Sequence, residues 1–219
     1  MKKYILFDLD GTISDPKLGI TKAVQYSLRS FGIEVADIDK LTPFIGPPLR
    51  DSYKKFYGFD DSGAEMAVAK YREYFSETGI FENTLYNEIP ELLESLTAAG
   101  KTLVIATSKP TVYAARILEH FKINNYFSFV SGSELDGRRS KKDEVIAFAM
   151  ENCGITSADS AIMIGDREHD IVGAKKCAME SIGVLYGYGD YAELSGAGAT
   201  YIAESVEKLS EVILCPDRT

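Results

Sequence analysis

The sequence predicts an α/β protein: a doubly wound parallel sheet with an all-helical insertion near its start. Short apolar runs recur at 3–7, 102–106, 127–130, 161–164, 181–185 and, more weakly, 199–202. They are nearly continuous rather than alternating, as strands buried on both faces are. Helical patterns lie between these runs from about residue 84 onward, whereas residues from about 15 to 83 contain no strand pattern.

The first run, Lys3-Tyr4-Ile5-Leu6-Phe7, passes directly into a loop signal, Asp8-Leu9-Asp10-Gly11-Thr12. Three helices follow, at 17–31, 49–57 and 64–76, ending at Gly32, Gly58 and near Gly79, a residue suited to helix C-termini. The segment from Pro90 to Gly100 reads as a helix, as do 111–121, 143–152 and 169–177, each between two strand candidates. The expected organisation is a core of residues 1–14 with 84–219 and a four-helix-like insert over 15–83.

With 219 residues, 45% hydrophobic and 26% charged, the chain has material for a sizeable core. A net charge of −9 disfavours nucleic acid polymers and anionic membrane surfaces as partners. A small phosphate ester stays open, because a bound cation reverses the local field. No apolar stretch approaches membrane-spanning length, and the N-terminus lacks a signal-peptide pattern. Three widely spaced cysteines, Cys153, Cys177 and Cys215, suggest neither a disulfide framework nor a zinc site, so a cytoplasmic protein is expected. Cysteines, His120 and His169 read as structural or solvent-facing, and Lys109 as surface charge.

Ligands of open α/β sheets bind beyond the carboxyl ends of the strands. The residues found there are Asp8 and Asp10 after the first strand, Thr107, Ser108 and Lys109 after the second, and Asp166 and Asp170 after the run at 161–164, with Lys141 and Lys142 ahead of a helix. Carboxylates facing one another repel unless a cation joins them, and hard oxygen ligands suit Mg²⁺. With a lysine and hydroxyl donors, such a site holds a phosphoryl group. One carboxylate then attacks phosphorus, and a second, two residues on, handles the leaving group's proton.

Phe7-Asp8-Leu9-Asp10-Gly11-Thr12, Val104-Ile105-Ala106-Thr107-Ser108-Lys109 and Ile164-Gly165-Asp166-Arg167-Glu168-His169-Asp170 resemble the motifs of the haloacid dehalogenase superfamily, in its phosphatase branch with a Rossmann-like core. The resemblance implies that Asp8 is nucleophile and metal ligand. Asp10 would be the acid/base, with its carbonyl on the metal, and Asp166 a further ligand, so that the Mg²⁺ set is Asp8, Asp10 and Asp166, supported by Asp170. Thr107 would bind phosphate, and Thr12, Ser108 and Arg50 would serve substrate binding. The motif lysine is Lys142 or Lys141, and the following Asp143-Glu144-Val145-Ile146 favours Lys142. The insert is similar to that superfamily's cap domain, expected to open for substrate and close over it. Phe44-Ile45-Gly46-Pro47-Pro48-Leu49-Arg50 is similar to segments of phosphoglycolate-phosphatase-like members, so a small phosphorylated metabolite, phosphoglycolate first, is the expected substrate of a monomer or homodimer. A 5′-nucleotidase and a sugar phosphomutase on the same fold are the alternatives. A non-catalytic binding module would have lost the nucleophile.

Overall fold

The computed structural model describes residues 2–215. The chain forms two compact units, Met1–Asp15 with Leu85–Thr219, and Pro16–Thr84.

The first unit begins with β1 (Tyr4–Phe7), whose Ile5, Leu6 and Phe7 are fully buried. Short strands β2 (Ser14–Asp15) and β3 (Thr84–Leu85) stand at the two ends of the insertion. In the second unit lie α1 (Lys17–Arg29), α2 (Leu49–Tyr57) and α3 (Asp61–Phe75), with a 3₁₀ segment at Ile38–Phe44. The expected four-helix-like insert thus has three α-helices among the described residues. Its fourth element is a 3₁₀ turn capped by the Asp37 carboxylate and carrying Pro43, which cannot supply an α-helical N–H. Helix α3 starts earlier than expected because Asp60 caps it by accepting the Gly63 N–H at 2.7 Å. Tyr53 is fully buried, and its ring lies 5.0 Å from Phe44 and 5.9 Å from Phe59, so it packs this unit's core.

The first unit then alternates: α4 (Ile89–Ala98), β4 (Thr102–Pro110), α5 (Thr111–His120), β5 (Phe127–Ser133), α6 (Lys142–Asn152), β6 (Ala161–Gly165), α7 (Glu168–Lys176), β7 (Glu180–Val184), α8 (Tyr191–Ala197), β8 (Tyr201–Ala203) and α9 (Val206–Leu214). Six strands form one sheet in the order β5-β4-β1-β6-β7-β8. The named neighbours pair in parallel, with Tyr4 opposite both Thr102 and Ala161. Strand order reverses at β1, which makes its carboxyl end the switch point where a ligand crevice forms. Leu6, Val104, Ala106 and Met163 pack with Val145, Ile146 and Ala149 of α6 and Ala174 of α7 on one face. Truncating a fully buried side chain such as Ile146 to alanine costs roughly 2–5 kcal/mol.

β4 runs past the expected 102–106, so Thr107, Ser108 and Lys109 belong to the strand's last residues and not to a following loop. A register shift between Ala106 and Pro110 realigns it with β5. Helices α8 and α9 were not among the expected elements. The Asp190 carboxylate accepts the Glu193 N–H, and the Ser205 hydroxyl oxygen accepts the Lys208 N–H, each capping one of them.

Candidate active site

Four carboxylates are buried beyond the carboxyl ends of β1 and β6: Asp8, Asp10, Asp166 and Asp170. β1 delivers the first two. Gly11, at φ +82°, turns the chain, and a Cβ there would collide with the Asp166 carboxylate. Asp8 is 4% exposed, and its Oδ1 accepts the Leu9 N–H at 2.8 Å and pairs with Lys142 Nζ at 3.0 Å. Lys142 opens α6 and also reaches Asp170 Oδ1 at 2.8 Å and the Ala106 carbonyl at 3.1 Å. Burial alone would lower the Lys142 ammonium's pKa, but Asp170 and Asp8 outweigh it and raise the value above the ordinary one. Lys141, the alternative, is the exposed cap residue of α6, and its backbone N–H donates to Glu144.

Asp10 Oδ2 pairs with Lys109 Nζ at 2.9 Å. Lys109 is 8% exposed, which corrects its reading as surface charge: β4 continues through this position and turns the side chain inward. Burial raises the Asp10 carboxyl above its ordinary value despite the lysine. Asp166 has no ammonium partner among the described residues; its Oδ2 accepts the Tyr188 N–H at 2.8 Å, and its Oδ1 accepts the Thr12 hydroxyl at 3.4 Å. Burial pushes Asp166 well above the usual carboxylate range, and Asp170 and Asp8 push the same way. Burial raises Asp170 to about 6, against the pull of Lys142.

This set fits a divalent cation. One oxygen from each of Asp8, Asp166 and Asp170 lies within 4.8 Å of the other two. When ionised, the four carboxylates face two buried ammonium groups, leaving two negative charges. Such an excess is costly inside a protein unless a cation offsets it. Asp10's side chain is drawn toward Lys109 and is absent from the three-carboxylate cluster, so any part of Asp10 in the ligand set falls to its backbone.

A model of the haloacid dehalogenase-like hydrolase family matches residues 5–184. The chain belongs to this family. A 5′-nucleotidase of Pseudomonas aeruginosa is 45% identical over 95% of this chain and 94% of its own. Tyrosine-protein kinase PtkA of Mycobacterium tuberculosis is 34% identical over 96% of this chain and 72% of its own. The crystal structure of a protein called a predicted phosphatase from Clostridium acetobutylicum superposes with a TM-score of 0.96 at 52% identity, covering 98% of this chain and 99% of that one.

In this member of the family, Thr107 is buried beside the acids, and its hydroxyl oxygen accepts the Lys109 N–H at 3.3 Å. Ser108 is half-buried next to it, its carbonyl accepting the Ser133 hydroxyl at 2.8 Å. Thr12 directs its hydroxyl at Asp166. Arg50 lies in the other unit, on α2, paired with Glu65 at 3.1 Å and Asp61 at 3.4 Å of α3.

The sequence reading missed the segment after β7, Tyr186-Gly187-Tyr188-Gly189-Asp190. A Cβ on Gly187 would lie 2.6 Å from Asp166 Oδ2, and one on Gly189 would strike the Asp166 carbonyl. The Tyr186 hydroxyl donates to the Thr12 carbonyl at 3.1 Å, and the Tyr188 hydroxyl bonds Asp15. Farther on, Glu193 accepts the Arg167 side chain and the Glu168 N–H, each at 2.8 Å. This segment clamps the loops that carry the acids. A Gly-x-Gly pattern directly after a strand was the available signal.

Proposed function

We propose that this chain is a Mg²⁺-dependent phosphatase of small metabolites, with nucleoside 5′-monophosphates as the leading substrates. The reading is carried by Asp8, held by Lys142 within a cluster of buried carboxylates at the sheet's switch point. Both partners of the Asp8 carboxylate fall on Oδ1, which leaves Oδ2 as the attacking atom. In the first step Asp8 bonds phosphorus while the phosphorus–ester oxygen bond breaks, and Asp10 gives its proton to the departing oxygen. In the second, water attacks the aspartyl-phosphate and gives its proton to Asp10, releasing phosphate and the Asp8 carboxylate. The raised Asp10 carboxyl suits a group that must carry a proton near neutrality.

Mg²⁺ would be held by Asp8, Asp166 and the Asp10 backbone carbonyl with Asp170 behind them, supplying charge neutralisation for the phosphoryl group. Lys142 would fix Asp8, and Thr107, Ser108 and Thr12 would receive the phosphate oxygens.

The 45% identical relative called a 5′-nucleotidase moves nucleotides ahead of phosphoglycolate. Phosphoglycolate is the second reading, favoured by the Phe44-to-Arg50 segment and the arginine ending it. Free Cys153, Cys177 and Cys215 fit a reducing cytoplasm, and no described helix is long and apolar enough to cross a membrane.

Phosphate release is measured across nucleotides, phosphoglycolate and sugar phosphates, with Mg²⁺ or EDTA. Release of free phosphate that needs Mg²⁺ and disappears in Asp8→Asn is expected. A folded wild type that frees phosphate from no member overturns the reading.

A further inference from the structure

Lys109 is an expensive residue to bury. Its side chain is 5% exposed, and an ammonium removed from water needs a specific partner. That partner is Asp10 Oδ2, at 2.9 Å. The other oxygen, Oδ1, is buried with no hydrogen-bond partner, an arrangement that proteins rarely leave without use. The Lys109 backbone is held in turn: its N–H donates to Thr107, and Gly132 of β5 approaches so closely that a Cβ there would lie 2.5 Å from the Lys109 carbonyl. The ammonium therefore projects from a strand end fixed on both sides. A lysine needed only for charge balance could sit anywhere near the acids. This one is placed on the Oδ2 oxygen of Asp10.

We propose that Lys109 is a positioning residue: by holding Asp10 Oδ2 it orients the carboxyl so that Oδ1 meets the ester oxygen that departs. The inference rests on the reading of Asp10 as the proton donor. Lys109 need not touch substrate. It acts by removing the rotational freedom of a short side chain whose reach to the leaving oxygen must be correct within a fraction of an ångström. Lys142 does the corresponding work for Asp8 from the first residue of α6, and the two ammonium groups thereby assign the two acids of the Asp8-Leu9-Asp10 loop to separate places.

The leaving group provides the test, because an alkoxide needs the proton and a p-nitrophenolate departs without it. kcat/KM is measured with saturating Mg²⁺ for the best alkyl phosphate of the panel and for p-nitrophenyl phosphate. The proteins are wild type, Lys109→Met, Lys109→Gln, Lys109→Arg, Asp10→Asn and the Lys109→Met/Asp10→Asn double variant, each checked by thermal melting. Lys109→Met should lose at least about tenfold on the alkyl ester, within the range that acid–base catalysis contributes, and clearly less on the aryl ester. Lys109→Arg should recover most of the alkyl activity. The double variant should fall no lower than Asp10→Asn, since one residue acts through the other. Lys109→Gln carries the same comparison where Lys109→Met does not fold. Equal losses on both esters in the Lys109 variants, beside an Asp10→Asn that does discriminate, overturn the positioning role alone. An Asp10→Asn that fails to discriminate overturns the acid assignment and the inference with it.

Discussion

Replacing Asp166 by asparagine should stabilise the metal-free protein while removing its response to Mg²⁺. Asp166 is fully buried, lies within 4.8 Å of carboxylate oxygens of Asp8 and Asp170, and has no ammonium on it among the described residues. At an effective dielectric constant of about 20, one such pair repels by about 3 kcal/mol at that separation. Partial protonation and local relaxation consume much of this, so the net gain at pH 8 is of order 2 kcal/mol, roughly 4–8 °C in Tm for a chain of this size. Asparagine keeps the shape and an oxygen for the Tyr188 N–H, so no packing loss offsets the gain. Thermal melts are run in EDTA and in millimolar MgCl₂. Wild type should gain stability from Mg²⁺ by mass action, and Asp166→Asn should start higher and gain little. An Asp166→Asn protein that melts below wild type in EDTA, or shows the wild-type Mg²⁺ shift, refutes the idea that repulsion at this cluster is what the cation relieves.

The same charges set a pH dependence. Asp170 is raised to about 6, and Asp166 and Asp10 are raised as well, so folding binds protons between the unfolded and folded values. Stability in EDTA should therefore be fullest near pH 4 and fall as pH rises through about 6, the reverse of the usual carboxylate effect, as urea unfolding across pH will show; a curve rising over that interval contradicts it. Gly187→Ala should cost about 1–3 kcal/mol in urea unfolding by overpacking against Asp166 and Gly11, with weakened Mg²⁺ binding by calorimetry, whereas a neutral effect on both would show that the loop yields freely. Arg50→Ala should raise KM for phosphoglycolate, which carries a second acidic group, and leave kcat for a nucleotide unchanged; steady-state kinetics with an unchanged KM for both removes Arg50 from substrate binding.

The sheet was legible because burying a strand on both faces leaves a nearly continuous apolar run, clearest in Ile5-Leu6-Phe7, Leu103-Val104-Ile105-Ala106 and Ala161-Ile162-Met163-Ile164 and weaker at the edge strand Tyr201–Ala203. The acids were legible because they follow such runs at once. Lys109 was not: a lysine at a strand's end is identical in sequence whether it points to water or to Asp10, and only the extension of β4 decides. The clamp after β7 was missed for a related reason. Its contacts to Asp166 and Thr12 run through backbone groups and a tyrosine hydroxyl, which leave little trace in residue type. Helices α8 and α9 are short and announced mainly by their caps, Asp190 and Ser205.

The central strand is also the earliest of the sheet along the chain. β1 finds one neighbour at Thr102 and the other only at Ala161, and the clamp on its loop comes later still, from Tyr186. During synthesis β1 therefore has both edges open until β4 has been made, and one edge open until β6 follows. Because its partners lie this far along the chain, the acidic loop is expected to order late. Until then Asp8 and Asp10 remain hydrated and their repulsion is screened, so the electrostatic cost of the centre falls due at closure, when the Tyr186-to-Glu193 segment arrives to seal it. A chain that stops short of that segment holds every acid named in the reaction without the part that sets Asp166 in place.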